Sequence, residues 1–186
     1  MAHGIQSEYG DFQIAEEMGW HKLTQVKKPE LSDFPVITTH QAFADNGKPL
    51  VIQGKKVSYP VATKEGVARP IGIPFTDSYS LFTPQAAWEY VGKCLEGTKY
   101  SVKSIGMLWA MSVWFISVWL DELAEQTING DKFEFNLNFS GGLDKSLSPQ
   151  AELSSTRVVC HNTMSVSRAS ERVLFVAKAT RNLLQK

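Results

Sequence analysis

Residues 133–139 alternate apolar and polar side chains at every position. Phenylalanine or leucine occupies each odd position, and glutamate or asparagine occupies each even one. A period of two places the two sets on opposite faces of a β-strand, whereas a helix would scatter both sets around its axis. The segment is therefore predicted to form a strand with one wet face. The pair Gly141-Gly142 that follows predicts where this strand ends.

Other stretches of the chain also favour strands. Asn46-Gly47 is a hairpin-type turn signal just ahead of a short apolar run. Pro70 and Pro74 predict that any strand in their segment lies at a sheet edge, because proline cannot donate a ladder hydrogen bond. The predicted strands are residues 49–53, 56–61, 69–75, two strands within 100–120 joined near 110–112, and 153–160.

Two helices are predicted, at residues 83–97 and 167–184. Thr83 suits the N-cap, Pro84 the first helical position and Gly97 the stop. The second segment has few helix breakers and one apolar stripe. Residues 1–35 are predicted to be irregular. The expected fold is a single α+β domain over residues 1–186, with a mainly antiparallel sheet and two main helices.

Composition narrows the classes of function. Cys94 and Cys160 match no zinc or redox spacing, so both are predicted to be buried free thiols. The four histidines are scattered, and no phosphate-binding or dinucleotide motif occurs. The longest apolar stretch, residues 105–120, is shorter than the ~20 residues of a membrane helix. We therefore predict no catalytic residues, metal, cofactor or membrane partner, and a cytoplasmic location.

Charge is distributed unevenly along a neutral chain. Nineteen basic residues balance nineteen acidic ones, which counts against a dedicated DNA-binding domain. Residues 121–152 nevertheless carry seven acids and two lysines, whereas residues 153–186 carry six bases and one acid. Such segments can create a local field, and they can equally pack side by side.

The basic residues suggest a surface that binds nucleic acid. Tyr59, Tyr79 and Trp114 are aromatic side chains that could stack on bases if exposed, although most aromatics in such a chain belong to the core. Arg168 and Arg172 would lie on one face of the second predicted helix, where they could bind phosphate. The predicted nucleic-acid-binding residues are Lys55, Lys56, Lys64, Arg69, Arg157, Arg168 and Arg172.

Three motifs resemble those of a phage- and plasmid-like family of unknown function, the DUF932 type. They are Gly19-Trp20-His21, the stretch SIGMLW followed by VWFISV at residues 104–118, and RVVCHNT at residues 157–163. The family opening usually continues with glycine where this chain has Lys22. The resemblance implies a setting in phages, prophages or plasmids and implies no activity.

Two functions stay open on the sequence, with an enzyme ranked last. The first is a nucleic-acid-binding accessory protein, such as a single-stranded DNA annealing protein of recombination, by fold-level analogy with phage annealing proteins. The second is a module that binds a host protein, since aromatic residues and arginine dominate interface energetics. A homo-oligomer is compatible with either. An exposed apolar patch without basic residues would favour the second.

Overall fold

Two β-sheets and one α-helix make up the described part of the protein. The computed structural model describes residues 9–16, 24–121, 125–128, 131–158 and 172–173. In chain order the elements are β1 (Phe12–Ala15), β2 (Thr24–Val26), a 3-10 turn (Leu31–Asp33), β3 (Val36–Gln41), β4 (Val51–Ile52), β5 (Lys55–Lys64), β6 (Val67–Pro70), β7 (Phe75–Thr76), α1 (Pro84–Cys94), β8 (Tyr100–Leu108), β9 (Val113–Leu120), β10 (Glu125–Ile128), β11 (Asp131–Gly142), β12 (Gln150–Val158) and β13 (Arg172–Val173).

The larger sheet has the order β13-β12-β11-β9-β8-β1-β2, with β10 beside β11. Its strands pair antiparallel, except that β1 and β2 run parallel. The smaller sheet is built around β5, which pairs antiparallel with β3, β4, β6 and β7. The predicted mainly antiparallel α+β fold is therefore confirmed at this level.

The core is formed by side chains from both sheets and from α1. Trp114 on β9 is 1% exposed, and its indole N–H donates to the carbonyl oxygen of Phe82 at 3.2 Å. Ala87 and Val91 of α1 and Ala62 of β5 belong to the same buried cluster. Burial of Trp114 corrects its nomination as a base-stacking residue: an indole with almost no exposed surface cannot meet a ligand.

The strand predictions agree well with the structure. The alternating segment forms most of β11, and the pair Gly141-Gly142 is its end. The hairpin predicted within residues 100–120 is β8 and β9, joined at residues 109–112. The strand predicted at residues 69–75 is instead two short strands, β6 and β7, with residues 71–74 between them, and each pairs only with β5 among the described strands. Two short strands, β1 and β2, lie in the segment predicted to be irregular.

One of the two predicted helices is confirmed. Helix α1 begins after Thr83, with Pro84 at its first position. The second prediction, residues 167–184, is wrong at Arg172 and Val173, which form β13. They pair with Glu152 and Ala151 of β12, so a sheet partner distant in sequence overrides the helical pattern there. The rest of that predicted helix lies outside the described residues.

The N-cap residue of α1, Thr83, is expected to stabilise the protein. The Thr83 hydroxyl accepts a hydrogen bond from the Ala86 amide at 3.2 Å, which satisfies one of the unpaired donors of the first turn. Thr83→Ala is expected to lower the free energy of unfolding by about 1 kcal/mol. Urea denaturation followed by circular dichroism measures this, and Thr83→Ser, which keeps the hydroxyl, is the control. Equal losses for both variants would contradict the cap.

Candidate nucleic-acid interface

The predicted binding residues do not form one surface. Lys55, Lys56, Lys64 and Arg69 lie on the smaller sheet, and all four are exposed. Arg157 lies on β12 opposite Phe133, and Arg172 lies on β13 opposite Glu152, both in the larger sheet. Arg168 lies outside the described residues. The acidic position opposite Arg172 agrees with the alternative that acidic and basic segments lie side by side.

Strand β5 further divides the four residues of the smaller sheet. Lys55 begins this ten-residue strand and Lys64 ends it, so their backbones are about 30 Å apart. The Lys64 ammonium lies 4.3 Å from the centre of the Phe12 ring, and the side chain lines a cleft of about 380 Å³ that also contains the Lys27–Asp33 ion pair. Arg69, opposite Ala62, lies at this same end of β5. Only Lys55 and Lys56 remain at the other end.

The chain at that other end forms a small three-segment meander, residues 42–56, which we call the arm. The Leu50 amide donates to the Ala42 carbonyl oxygen at 2.8 Å, and the Val57 amide donates to the Leu50 carbonyl oxygen at 3.0 Å. Strand β4 then pairs with the start of β5. The first turn of the arm contains Gly47 at a φ of 75°, a left-handed conformation that glycine adopts without strain. The predicted Asn46-Gly47 turn is thus confirmed.

The arm carries both apolar and basic side chains on its surface. Every residue from 45 to 56 is exposed, so the tip of the arm contributes nothing to the buried cluster. Phe43 is 61% exposed and Ile52 is 53% exposed. The exposed apolar side chains are Phe43, Leu50, Val51 and Ile52, and the exposed charged ones are Lys48, Lys55, Lys56 and Asp45. The arm is therefore an apolar projection with an excess of positive charge.

An aromatic pair lies at the base of the arm. His40 on β3 is directly opposite Tyr59 on β5, and their ring centres are 6.2 Å apart at an interplanar angle of 35°. His40 is exposed and Tyr59 is half-buried. Because side chains alternate along a strand, Tyr59 and Lys55 project from the same face of β5. An aromatic pair and a lysine thus share one sheet face next to the arm.

Sequence reasoning missed Phe43, Lys48 and the exposure of residues 50–52. The short apolar run before Lys55-Lys56 was predicted as a strand, and β4 confirms part of that. An apolar run of this length has the same pattern whether its strand is buried or projects into solvent. The exposure of this apolar run could have been inferred from its position between two turn sequences, with lysines on both sides.

The described part of the chain contains no group of three or more His, Cys, Asp or Glu residues placed to hold a metal. Cys94 is exposed, which corrects its predicted burial, and Cys160 lies outside the described residues. Cys94 is the last residue of α1, where the helix ends before its C-cap Leu95. In the ranges described, no helix is long and apolar enough to cross a membrane.

The fold and this surface define an α+β protein of two mainly antiparallel sheets with a basic, partly apolar arm. Within that class, the chain belongs to the family described as "Domain of unknown function (DUF932)", whose sequence model matches residues 74–177, more than half of the chain. No curated protein and no solved structure matches this chain. The matched range contains Arg157, Arg168 and Arg172, whereas the arm and the His40–Tyr59 pair precede it.

Proposed function

We propose that the protein binds single-stranded nucleic acid, with the arm and the adjoining His40–Tyr59 pair as its interface. The observation that carries the proposal is the combination of four exposed apolar side chains with three exposed lysines on one projecting meander. Lysines attract the phosphate backbone, and apolar or aromatic side chains contact the faces of bases. In a duplex those base faces are stacked on each other, so this combination favours a single strand.

The positive charge of the arm argues against two kinds of protein partner, a second copy of the arm and a neutral protein. If the arm paired with the arm of a second copy, two surfaces that each carry three lysines and one aspartate would meet. Like charges placed directly opposite each other destabilise a strand pair. An apolar patch for a neutral protein partner would also have no use for this positive excess. A single-stranded polynucleotide offers phosphates to the lysines and base faces to the apolar side chains.

The proposed role is that of an accessory protein of a mobile element, such as a single-strand annealing protein. Such a protein captures the backbone electrostatically and leaves the pairing edges of the bases free. Assembly into a homo-oligomer would place several arms along one strand and raise the overall affinity. This role would be carried out in the cytoplasm of the host cell, where single-stranded replication intermediates occur.

The test is a fluorescence-anisotropy titration of a labelled single-stranded oligonucleotide at low and high salt. We expect binding at low salt that weakens steeply as salt is added, because binding is favoured by the release of condensed counterions and that gain shrinks as the salt concentration rises. A duplex of the same sequence is expected to bind more weakly, as is inorganic polyphosphate, which has the charge but no bases. Absence of binding at low salt, or equal affinity for polyphosphate and the oligonucleotide, would refute the proposal.

A further inference from the structure

The turn between β8 and β9 has an unfavourable backbone. Trp109, Ala110 and Met111 have φ angles of 55°, 56° and 59°, three consecutive left-handed residues that each carry a Cβ. Side chains with a Cβ clash with the backbone in this region, so such residues are rare and usually isolated. A run of three persists only where the surroundings hold it, and strain of this kind is common at functional sites.

Four hydrogen bonds hold this turn, two of them within it and two from other parts of the chain. The carboxylate of buried Asp11 accepts from the Met111 amide at 2.9 Å. The Ser112 amide and hydroxyl both donate to the Trp109 carbonyl oxygen, at 3.2 Å and 2.6 Å. The Leu143 amide donates to the Ser112 carbonyl oxygen at 2.6 Å. The turn is therefore fixed by two other parts of the chain, residues 11 and 143.

The result of this arrangement is a turn fixed through its backbone, with the indole of Trp109 exposed. Trp109 is 53% exposed, whereas Met111 at the other end of the turn is 5% exposed. The strained backbone thus buries the methionine and leaves the larger aromatic side chain on the surface. The turn therefore places a large aromatic side chain at the surface of the protein.

The loop that follows Leu143 carries a lysine that contacts a tyrosine ring. The Lys145 ammonium is 4.9 Å from the centre of the Tyr79 ring. Burial and the charge of Asp144 raise the pKa of Tyr79, so its hydroxyl stays neutral. Burial alone would raise the pKa of Asp144, but hydrogen bonds, chiefly those from the hydroxyl and amide of Ser146, outweigh it and lower that pKa. The Asp144 carboxylate is thus occupied by groups of its own loop.

These residues connect the turn to the arm. The Asp77 amide donates to the carbonyl oxygen of Lys56 at 3.1 Å, and the ring of Tyr79 lies 5.6 Å from that of Phe75, which pairs with Ser58 on β5. From Tyr79, the route leads through Lys145 and its loop to Leu143, whose amide donates to Ser112 of the turn. Lys56, Tyr79 and Lys145 are the groups along this route that suit single-stranded nucleic acid, and the carboxylates of Asp77 and Asp144 lie among them.

We infer that Trp109 is a base-stacking residue for a single strand that also contacts the arm. This inference rests on the proposed function and extends it to the end of the larger sheet. Stacking on an indole is tolerant of sequence because every base has a π face. The ligand is therefore a single strand of any sequence, long enough to reach from Lys56 past Tyr79 to the turn.

The test combines affinity with tryptophan fluorescence, using oligothymidylate as the probe. Trp109→Ala is expected to weaken binding roughly 5- to 100-fold, the effect of losing one base stack. Trp109→Phe keeps an aromatic ring, so its affinity is expected to stay closer to the wild type. Oligothymidylate is expected to quench the fluorescence of the wild-type protein, and Trp109→Phe is expected to remove most of that quenching. Thermal melting of each variant verifies that it is folded.

Trp119→Phe is the matched control, because the ring of Trp119 already lies under the Lys103 ammonium at 4.0 Å. This variant is expected to keep both the affinity and the quenching. If Trp109→Ala binds like the wild type, or if quenching persists in Trp109→Phe, the inference is wrong and the proposed function stands. If the wild-type protein does not bind oligothymidylate at all, the proposed function fails, and this inference fails with it.

Discussion

Gly106→Ala is expected to destabilise the protein by about 3 kcal/mol or more, because the site has no room for a side chain. Gly106 lies in β8 between β1 and β9. A Cβ added there would lie 2.5 Å from the carbonyl oxygen of Phe12 and 2.5 Å from a ring carbon of Phe115. The Phe12 oxygen is backbone of the neighbouring strand, so it cannot move without disturbing the sheet. Urea denaturation followed by circular dichroism measures the change.

The same substitution at Gly92 is the matched control. Gly92 lies inside α1, and the nearest atom to an added Cβ is the Tyr100 hydroxyl oxygen at 3.7 Å, an ordinary contact. Alanine is a better helix former than glycine, so Gly92→Ala is expected to stabilise the protein by about 0.5–1 kcal/mol. The two variants are thus expected to shift the denaturation midpoint in opposite directions. Destabilisation of similar size in both would contradict the packing described for β8.

Local patterns predicted much of the fold because they report which face of an element is buried. The alternation at residues 133–139 led to β11, and the Thr83, Pro84 and Gly97 signals led to α1. The turn sequence Asn46-Gly47 correctly predicted the first turn of the arm. In each case the signal lies within a few residues, so no knowledge of distant partners is needed.

Prediction failed where the partner is distant in sequence. Arg172 and Val173 lie in a stretch with helical periodicity, yet they pair with β12, about twenty residues earlier in the chain. Trp114 was nominated as a stacking residue, but packing against Phe82 places it in the core. The left-handed turn at Trp109 has no sequence signature, because none of its three residues is the glycine that such φ angles favour.

Only part of the candidate site was predicted, because nearness in the sequence does not mean nearness along a strand. Positive charge at Lys55-Lys56 can be read from the sequence, and those residues do lie on the arm. Lys64 and Arg69 were grouped with them, but the ten-residue strand β5 carries Lys64 to the far end of the sheet, where Arg69 on β6 lies opposite Ala62. Sequence proximity is a poor guide along a strand, because each residue adds about 3.3 Å.

The arm's lysines give the largest expected functional effect. The triple variant Lys48→Glu, Lys55→Glu, Lys56→Glu is expected to weaken binding of a single-stranded oligonucleotide on the order of 100-fold at low salt, because it turns a local attraction for phosphates into a repulsion. If the three lysines contact three phosphates, the slope of log affinity against log salt is expected to become shallower by about 2. Anisotropy titrations at several salt concentrations measure both quantities. All three residues are exposed, so the variant is expected to fold.

The matched control is the triple variant Lys28→Glu, Lys93→Glu, Lys99→Glu, which changes the net charge equally at exposed positions away from the arm. A protein that attracts nucleic acid only through its overall charge would lose the same affinity in both triple variants. An interface on the arm predicts a large loss in the first variant and a small one in the second, with the salt dependence changed only in the first. Equal losses of affinity would therefore show that the arm is not the interface, even if the protein binds single strands. A loss of affinity confined to the arm variant locates the phosphate contacts at Lys48, Lys55 and Lys56.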